Sequence, residues 1–278
     1  MTPRWGLLVL PPAIFMAGAF VVPLAWVMAR SFLPGGRSSW YSNYTAFFSS
    51  PVYPQVLLRT VETAALVTLV CLAIGYPYAY LMNSIGGRAA ALLLAAIVLP
   101  LWSSVLARTW GWTLVLQDTG VINRVLLALG IVHRPLKLMR NTLGVVIGMS
   151  QILLPFLVLP LYASMRRLDP DYLRAAAGLG APPRRAFRRV FLPLTKEGIV
   201  AGCVVVFVLA LGFFITPALL GSPANTMLSE QIVKLLGPGR DPGLATAAAG
   251  VLLVATVVLL AIAGRMVRFG QVFRVTRT

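Results

Sequence analysis

The sequence predicts an all-α integral membrane protein with six transmembrane helices. Three observations carry that prediction. Of the 278 residues, 59% are hydrophobic and 11% charged, whereas a soluble domain carries about 25% charged residues. The apolar residues gather in runs long enough to cross lipid, for which a helix needs roughly 20. The basic residues stand mostly between and beside those runs, so the net charge of +17 fits topology and lipid headgroups rather than a nucleic-acid partner. A mean hydropathy of +0.86 also excludes a disordered chain.

The first span covers residues 7–28. Its apolar stretch exceeds the roughly 7–15 residues of a signal-peptide core, so it reads as a retained helix despite Pro11, Pro12 and Pro23. The second covers 61–82 and carries Gly75, Tyr76 and Pro77, which fit either a break or close packing. The third covers 89–116. Residues 121–129 are apolar but too short to span, and lie along the membrane surface or on the bundle. The fourth span covers 142–165, the fifth 198–220 and the sixth 244–266. Backbone groups in lipid must bond internally, which makes these segments helices. Together they form one transmembrane domain over residues 1–278. No internal repeat is evident.

Lys/Arg bias sets the orientation. With the N-terminus inside, the inside segments hold 14 basic residues against 9 outside, and Arg108 lies within the third span. The dense run at 166–197 decides the assignment, and both termini are then cytoplasmic. The first outside loop carries Pro34, Gly35 and Gly36 beside Trp40, Tyr41 and Tyr44, aromatics that favour the interface.

Several chemistries are excluded. Cys71 and Cys203 both sit inside apolar runs, which argues against a structural disulfide or a cysteine-rich metal site. One histidine, His133, rules out a multi-histidine zinc site, and in its basic outside loop it reads as solvated. None of Lys137, Lys196 and Lys234 follows a glycine, so no Walker A loop exists. An intramembrane enzyme would need a nucleophile and base or a ligand set. An ion-coupled carrier would favour intramembrane acids and repeated broken helices, and only Glu62 lies within a span, near its end.

The long inside loop, 166–197, carries most information. Asp169 caps a helix start, Pro170 suits the first helical position and Asp171 favours the positive end of the dipole. A short helix over 172–179 follows, and Gly180 ends it through a left-handed cap. Pro182 and Pro183 start a second short helix, which Pro193 is expected to stop. By composition alone this is a basic loop that binds anionic lipid. By spacing it reads Arg174-Ala175-Ala176-x-x-x-Gly180, then nine residues, then Val190-x-Leu192-Pro193. This resembles the EAA loop of ABC-importer permeases, Glu-Ala-Ala-x-x-x-Gly followed nine residues later by Ile-x-Leu-Pro. The departures are Arg174 where the family has Glu and Val190 for Ile.

The likeness extends along about half of the chain. Residues 99–112, 120–130, 152–170 and 210–221 are similar to the polyamine-type, spermidine/putrescine permeases of bacterial importers. The resemblance implies a type I, MetI-like permease bundle in the inner membrane. It implies a coupling loop, with Asp169, Tyr172, Arg174, Ala175, Ala176, Gly180, Ala181, Leu192 and Pro193, that docks on a cytoplasmic ATPase dimer. It also implies a periplasmic binding protein outside and a second permease subunit, a sister chain. ATP and Mg would then sit on the ATPase, with no cofactor on this chain. Related permeases carry opines, amino-acid-like compounds or iron, so these solutes stay open beside polyamines.

The candidate substrate path is read from residues within or near the spans. A charge at the bilayer centre costs about 2.5–3.5 kcal/mol on insertion scales, so Arg108 is either functional or paired, or it snorkels to headgroups. Glu62 and Asp118 are its expected acidic partners and could also attract a cationic solute. Trp102, Trp110 and Trp112 offer cation–π faces or an interfacial belt or lipid-facing packing, and Trp102 and Trp110, eight apart, are expected roughly on one helix side. Phe213, Phe214 and Thr216 stand late in the fifth span, where Gly212 and Pro217 suit a broken helix near a cavity or ordinary packing.

Overall fold

The structure is a computed structural model that describes residues 5–33 and 39–275, and every regular element among them is helical. In order these are α1 (Trp5–Ser31), α2 (Ser42–Ser49), α3 (Val52–Ile85), α4 (Gly87–Val98), a 3-10 turn (Leu99–Trp102), α5 (Val105–Leu116), α6 (Val121–Ala128) and α7 (Thr142–Arg166). There follow α8 (Asp171–Gly178), α9 (Pro183–Ala186), a π turn (Phe187–Phe191), α10 (Leu192–Leu194), α11 (Lys196–Leu211), α12 (Ile215–Leu220), a 3-10 turn (Pro223–Asn225), α13 (Leu228–Leu235) and α14 (Pro242–Val275). The turn expected at Pro34, Gly35 and Gly36, and the terminal basic residues Arg4 and Arg277, lie outside the described residues.

Among the described residues four helices, α1, α3, α7 and α14, are long and apolar enough to cross a membrane singly, and there are up to six spans if each of two bent helix pairs counts as one broken span. The third span is one of those pairs, not the straight helix the sequence suggests. The run from α4 through the 3-10 turn meets the run from α5 through α6 at 103°. The cause is local. Pro100 has no N–H to give the helix. The Ser103 N–H instead closes a turn onto the Pro100 carbonyl at 3.1 Å, and Ser103 and Ser104 then run extended. The bend overturns the expected shared face of Trp102 and Trp110, which stand on either side of it.

The fifth span also ends early. α11 stops at Leu211, and residues 212–214 form a break before α12. The break falls at Gly212 rather than Pro217, because Pro217 lies in the first turn of α12, where a missing donor costs nothing. α3, by contrast, runs unbroken through Pro77. Gly75 serves packing there, since a Cβ on it would lie 2.6 Å from Leu157 Cδ2 on α7.

The centre is a three-helix packing of α3, α7 and α11. Along α7, Met149, Leu153, Leu157, Leu161 and Met165 recur every fourth residue and are fully buried, one face of the helix by its 3.6-residue period. α11 answers with Gly198, Gly202, Val206 and Ala210 at the same spacing. A Cβ at Gly202 would stand 2.9 Å from the Leu157 carbonyl oxygen. Lipid is as apolar as leucine, so this close approach, through van der Waals packing of small residues, holds the helices together. α1 and α14 pair at the flank, and α1 exposes Leu10, Ile14, Phe15 and Phe20. α12 packs on α5.

Candidate coupling loop and translocation-path residues

The loop between α7 and α11 is two short helices around a glycine, as its spacing predicts. The Asp169 carboxylate accepts from the Asp171 N–H at 2.9 Å, so the start of α8 is capped and Asp171 stands in its first turn. At the other end Gly180 takes φ +77°. The Gly180 N–H donates to the Ala177 carbonyl at 2.9 Å and the Ala181 N–H to the Ala176 carbonyl at 3.0 Å. That paired closure is the Schellman arrangement, and its left-handed residue favours glycine. No atom lies within 4 Å of a Cβ built on Gly180, so the backbone angle alone selects it.

α8 has no buried residue. Ala175 is exposed, and Ala176 and Ala181 are half-buried. Tyr172 is 56% exposed and Leu179 89%. Arg174, standing where the family has Glu, turns back to Asp171 at 2.9 Å, and both side chains are exposed. Solvent screens such a pair strongly. A cavity of about 380 Å³ separates α8 from the bundle, lined among others by Asn83, Met165, Asp169, Tyr172 and Phe191.

Pro193 does not stop the second helix. The helical path continues through α10 and bends by 59° where it meets α11. The π turn before it makes this possible. There the Leu192 N–H reaches back five residues to the Phe187 carbonyl, and one extra residue is taken up just before a residue that cannot donate. The bend falls at Thr195, which is fully buried. Its N–H donates to the Phe191 carbonyl at 3.0 Å, its hydroxyl donates to the Leu192 carbonyl at 3.0 Å, and it meets the Tyr76 hydroxyl at 3.2 Å. Leu192 and Pro193 themselves are exposed.

Sequence reading misses how this loop grips the bundle. The Phe187 and Phe191 rings stack at 5.7 Å. The Tyr80 ring stands edge-on to both, at 5.3 Å each, and Tyr76 meets Phe187 at 6.1 Å. Four aromatic rings thus tie the loop to α3. The signal was present as two aromatic pairs, 76/80 and 187/191, each one helical turn apart.

The path candidates are only partly brought together. Thr109 and Thr216 are fully buried and their hydroxyls meet at 3.1 Å, joining α5 to α12. Trp112 Nε1 donates to Gln151 Oε1 on α7 at 3.4 Å. Phe213 is half-buried, and its carbonyl, freed by the break, accepts from the Ser229 hydroxyl at 2.6 Å. Phe214, Trp102 and Trp110 are exposed. Glu62 is exposed on α3. Asp118 is exposed in a cavity of about 750 Å³ with Lys137 and Arg140, at the α7 end away from the loop. Among the described residues Arg108 pairs with neither acid, contrary to expectation. The bend between α4 and α5 sets where Arg108 stands, and straight-helix reasoning could not foresee it.

Residues 21–269 match the family described as binding-protein-dependent transport system inner membrane component. The chain is 38% identical, over 220 residues, to the spermidine/putrescine transport system permease protein PotB of Haemophilus influenzae, covering 77% of this chain and 76% of that protein. It is 36% identical over 217 residues to the protein of that name from Escherichia coli, covering 76% and 78%. A chain in the crystal structure of a bacterial alginate ABC transporter, in complex with alginate pentasaccharide-bound periplasmic protein, superposes with a TM-score of 0.76. It covers 99% of this chain and 96% of that one, at 19% identity, a likeness of fold.

Proposed function

Since the chain belongs to the family of binding-protein-dependent transport system inner membrane components, we propose that it forms, with a sister permease, the solute pathway of an importer for spermidine and putrescine. It is a transport component of a bacterial ABC importer. The polyamine reading is supported by 36–38% identity to two spermidine/putrescine permeases over three quarters of the chain.

The mechanism follows from the loop. A cytoplasmic ATPase dimer binds ATP and Mg and closes. α8 rides on it, because α8 has no buried residue, leaves Tyr172 and Leu179 uncovered and is held by closures at both ends. The motion passes through Phe187 and Phe191 to Tyr80 and Tyr76, and so into α3. The 59° bend at Thr195 carries it into α11. The bundle then opens outward to a periplasmic binding protein that delivers the solute, and hydrolysis restores the inward state. Both termini and the loop face the cytoplasm in this reading. Glu62, Trp102, Trp110, Asp118, Phe213, Phe214 and Thr216 are proposed for the path side of the chain, with the sister chain supplying further carboxylates. The observation that carries the reading is α8 itself, capped at both ends and buried nowhere.

The test is uptake of labelled putrescine and spermidine by cells with the complete transporter, with and without this chain, under ATP depletion and repletion. Uptake that needs both chain and ATP supports the reading. No polyamine uptake, while another loaded binding protein stimulates the ATPase, discards the polyamine assignment.

A further inference from the structure

Among the described residues nothing neutralises the charge of Arg108. Its Nε and Nη1 atoms are buried and make no hydrogen bond. The residue as a whole is half-buried. A snorkelling arginine carries its whole head into the headgroup layer, and an enclosed Nε and Nη1 do not fit that behaviour. On α5, Arg108 shares the less exposed stripe with Val105, Thr109, Trp112 and Leu116, while Leu106, Trp110 and Leu114 face outward. Thr109 and Trp112 make the inter-helix bonds to Thr216 and Gln151. Arg108 therefore stands at the margin between a polar seam and an uncovered apolar face.

The chain has seven acids, and none meets Arg108. Asp169 caps α8 and Asp171 pairs with Arg174. Glu230 pairs with Lys234 at 2.6 Å. Asp241 accepts from the Leu244 N–H, and Glu197 lies in the first turn of α11 beside the loop. Glu62 and Asp118 are exposed elsewhere. An unpaired cation at membrane depth demands an anion or water. A polycationic solute supplies no anion.

We propose that the Arg108 guanidinium is one half of an ion pair whose carboxylate belongs to the second permease subunit, at the seam where the two halves of the pathway meet. The proposal rests on the two-permease reading above but not on the identity of the solute. The pair joins the subunits and withdraws the positive charge of Arg108 from the path of a cation. It also makes the polar seam of α5, α7 and α12 complete only in the assembled transporter.

The experiment uses the complete transporter, purified through a tag on this chain, and reads two quantities: the yield of co-purified second permease and labelled spermidine uptake. Arg108→Gln should lower the co-purified yield about tenfold or more, the scale for losing one partner of a buried charge pair, while Arg108→Lys should retain most of it. In the Arg108→Glu chain, each acid in the membrane-spanning part of the second permease is changed in turn to Arg. One such exchange should restore both association and uptake. If Arg108→Gln co-purifies the second permease at the unaltered yield, the proposal is wrong. If the yield falls and no exchange restores it, the counter-anion is a lipid phosphate and the proposal is equally wrong. Should the unaltered transporter carry no polyamine, the co-purification arm still decides the pairing.

Discussion

The ring of Tyr80 on α3 stands edge-on to Phe187 of the π turn, with 5.3 Å between centroids and 83° between planes. A residue in a spanning helix is thereby packed on the loop that follows α7, more than a hundred positions later in the chain. Edge-to-face pairs contribute about 0.5–1.5 kcal/mol each beyond their buried area, and Tyr80 makes two. The contact joins the loop to α3 at that point.

Tyr80→Ala should leave the protein inserted and the transporter assembled, yet reduce uptake severalfold relative to ATP hydrolysed. Tyr80→Phe keeps both ring contacts and should behave as the unaltered protein. Uptake and ATP hydrolysis measured in the same vesicles check both variants. Equal coupling in Tyr80→Ala would remove the aromatic cluster from the transmission path.

Gly180→Val should distort the end of α8. A left-handed backbone costs a residue with a Cβ about 1–2 kcal/mol, and nothing nearby would clash with the new side chain. Insertion should be unchanged and uptake should fall, because only the closure of α8 is altered. Gly180→Asn should be milder, since asparagine tolerates this region better. The comparison needs membrane levels and uptake of the three proteins side by side.

Thr109→Val and Thr216→Val should each destabilise the purified protein, and the coupling between them should be about 0.6 kcal/mol, with an upper range near 1.7, as double-mutant cycles give for hydrogen bonds between membrane helices. The double variant should cost less than the sum, because neither hydroxyl is then left without its partner. Thermal unfolding in detergent over the full double-mutant cycle reads this coupling. Strict additivity would mean the 3.1 Å contact contributes nothing.

Gly202→Ala is predicted to be worse than its size suggests. Its Cβ would press to 2.9 Å on the Leu157 carbonyl oxygen, which is backbone and cannot rotate away. Overpacking of this kind costs about 1–3 kcal/mol. The folded fraction after detergent extraction should drop, whereas Gly111→Ala, where a Cβ meets nothing within 4 Å, should not change it.

The loop was legible in the sequence because its signals are local. Asp169, Pro170, Gly180 and Pro182 each act on backbone within a few residues of themselves, and the structure places α8 and its glycine closure where those residues predict. The spans were legible for the same reason, as long apolar runs. Three things were not. The 103° bend depends on how Pro100, Ser103 and Ser104 act together, and hydropathy continues smoothly across them. Pro193 was read as a stop because a proline lacks a donor, yet the π turn at Phe187–Phe191 absorbs that loss. Pairings such as Thr109 with Thr216, or Tyr80 with Phe187, join positions about a hundred residues apart. Periodicity names the faces that must be covered, but not which face covers which.

If α8 is the surface on which the ATPase acts, a photo-reactive side chain placed at Leu179 should lie within reach of that subunit. Leu179 is 89% exposed just past the last turn of α8, so the probe should be tolerated. In membranes holding the complete transporter, irradiation should join this chain to the ATPase subunit, with a yield that changes when ATP is added. The same probe at Trp102, 80% exposed on the 3-10 turn after α4, should not reach the ATPase. A Leu179 probe that never captures the ATPase in a transporter still importing solute would mean that the ATPase acts elsewhere.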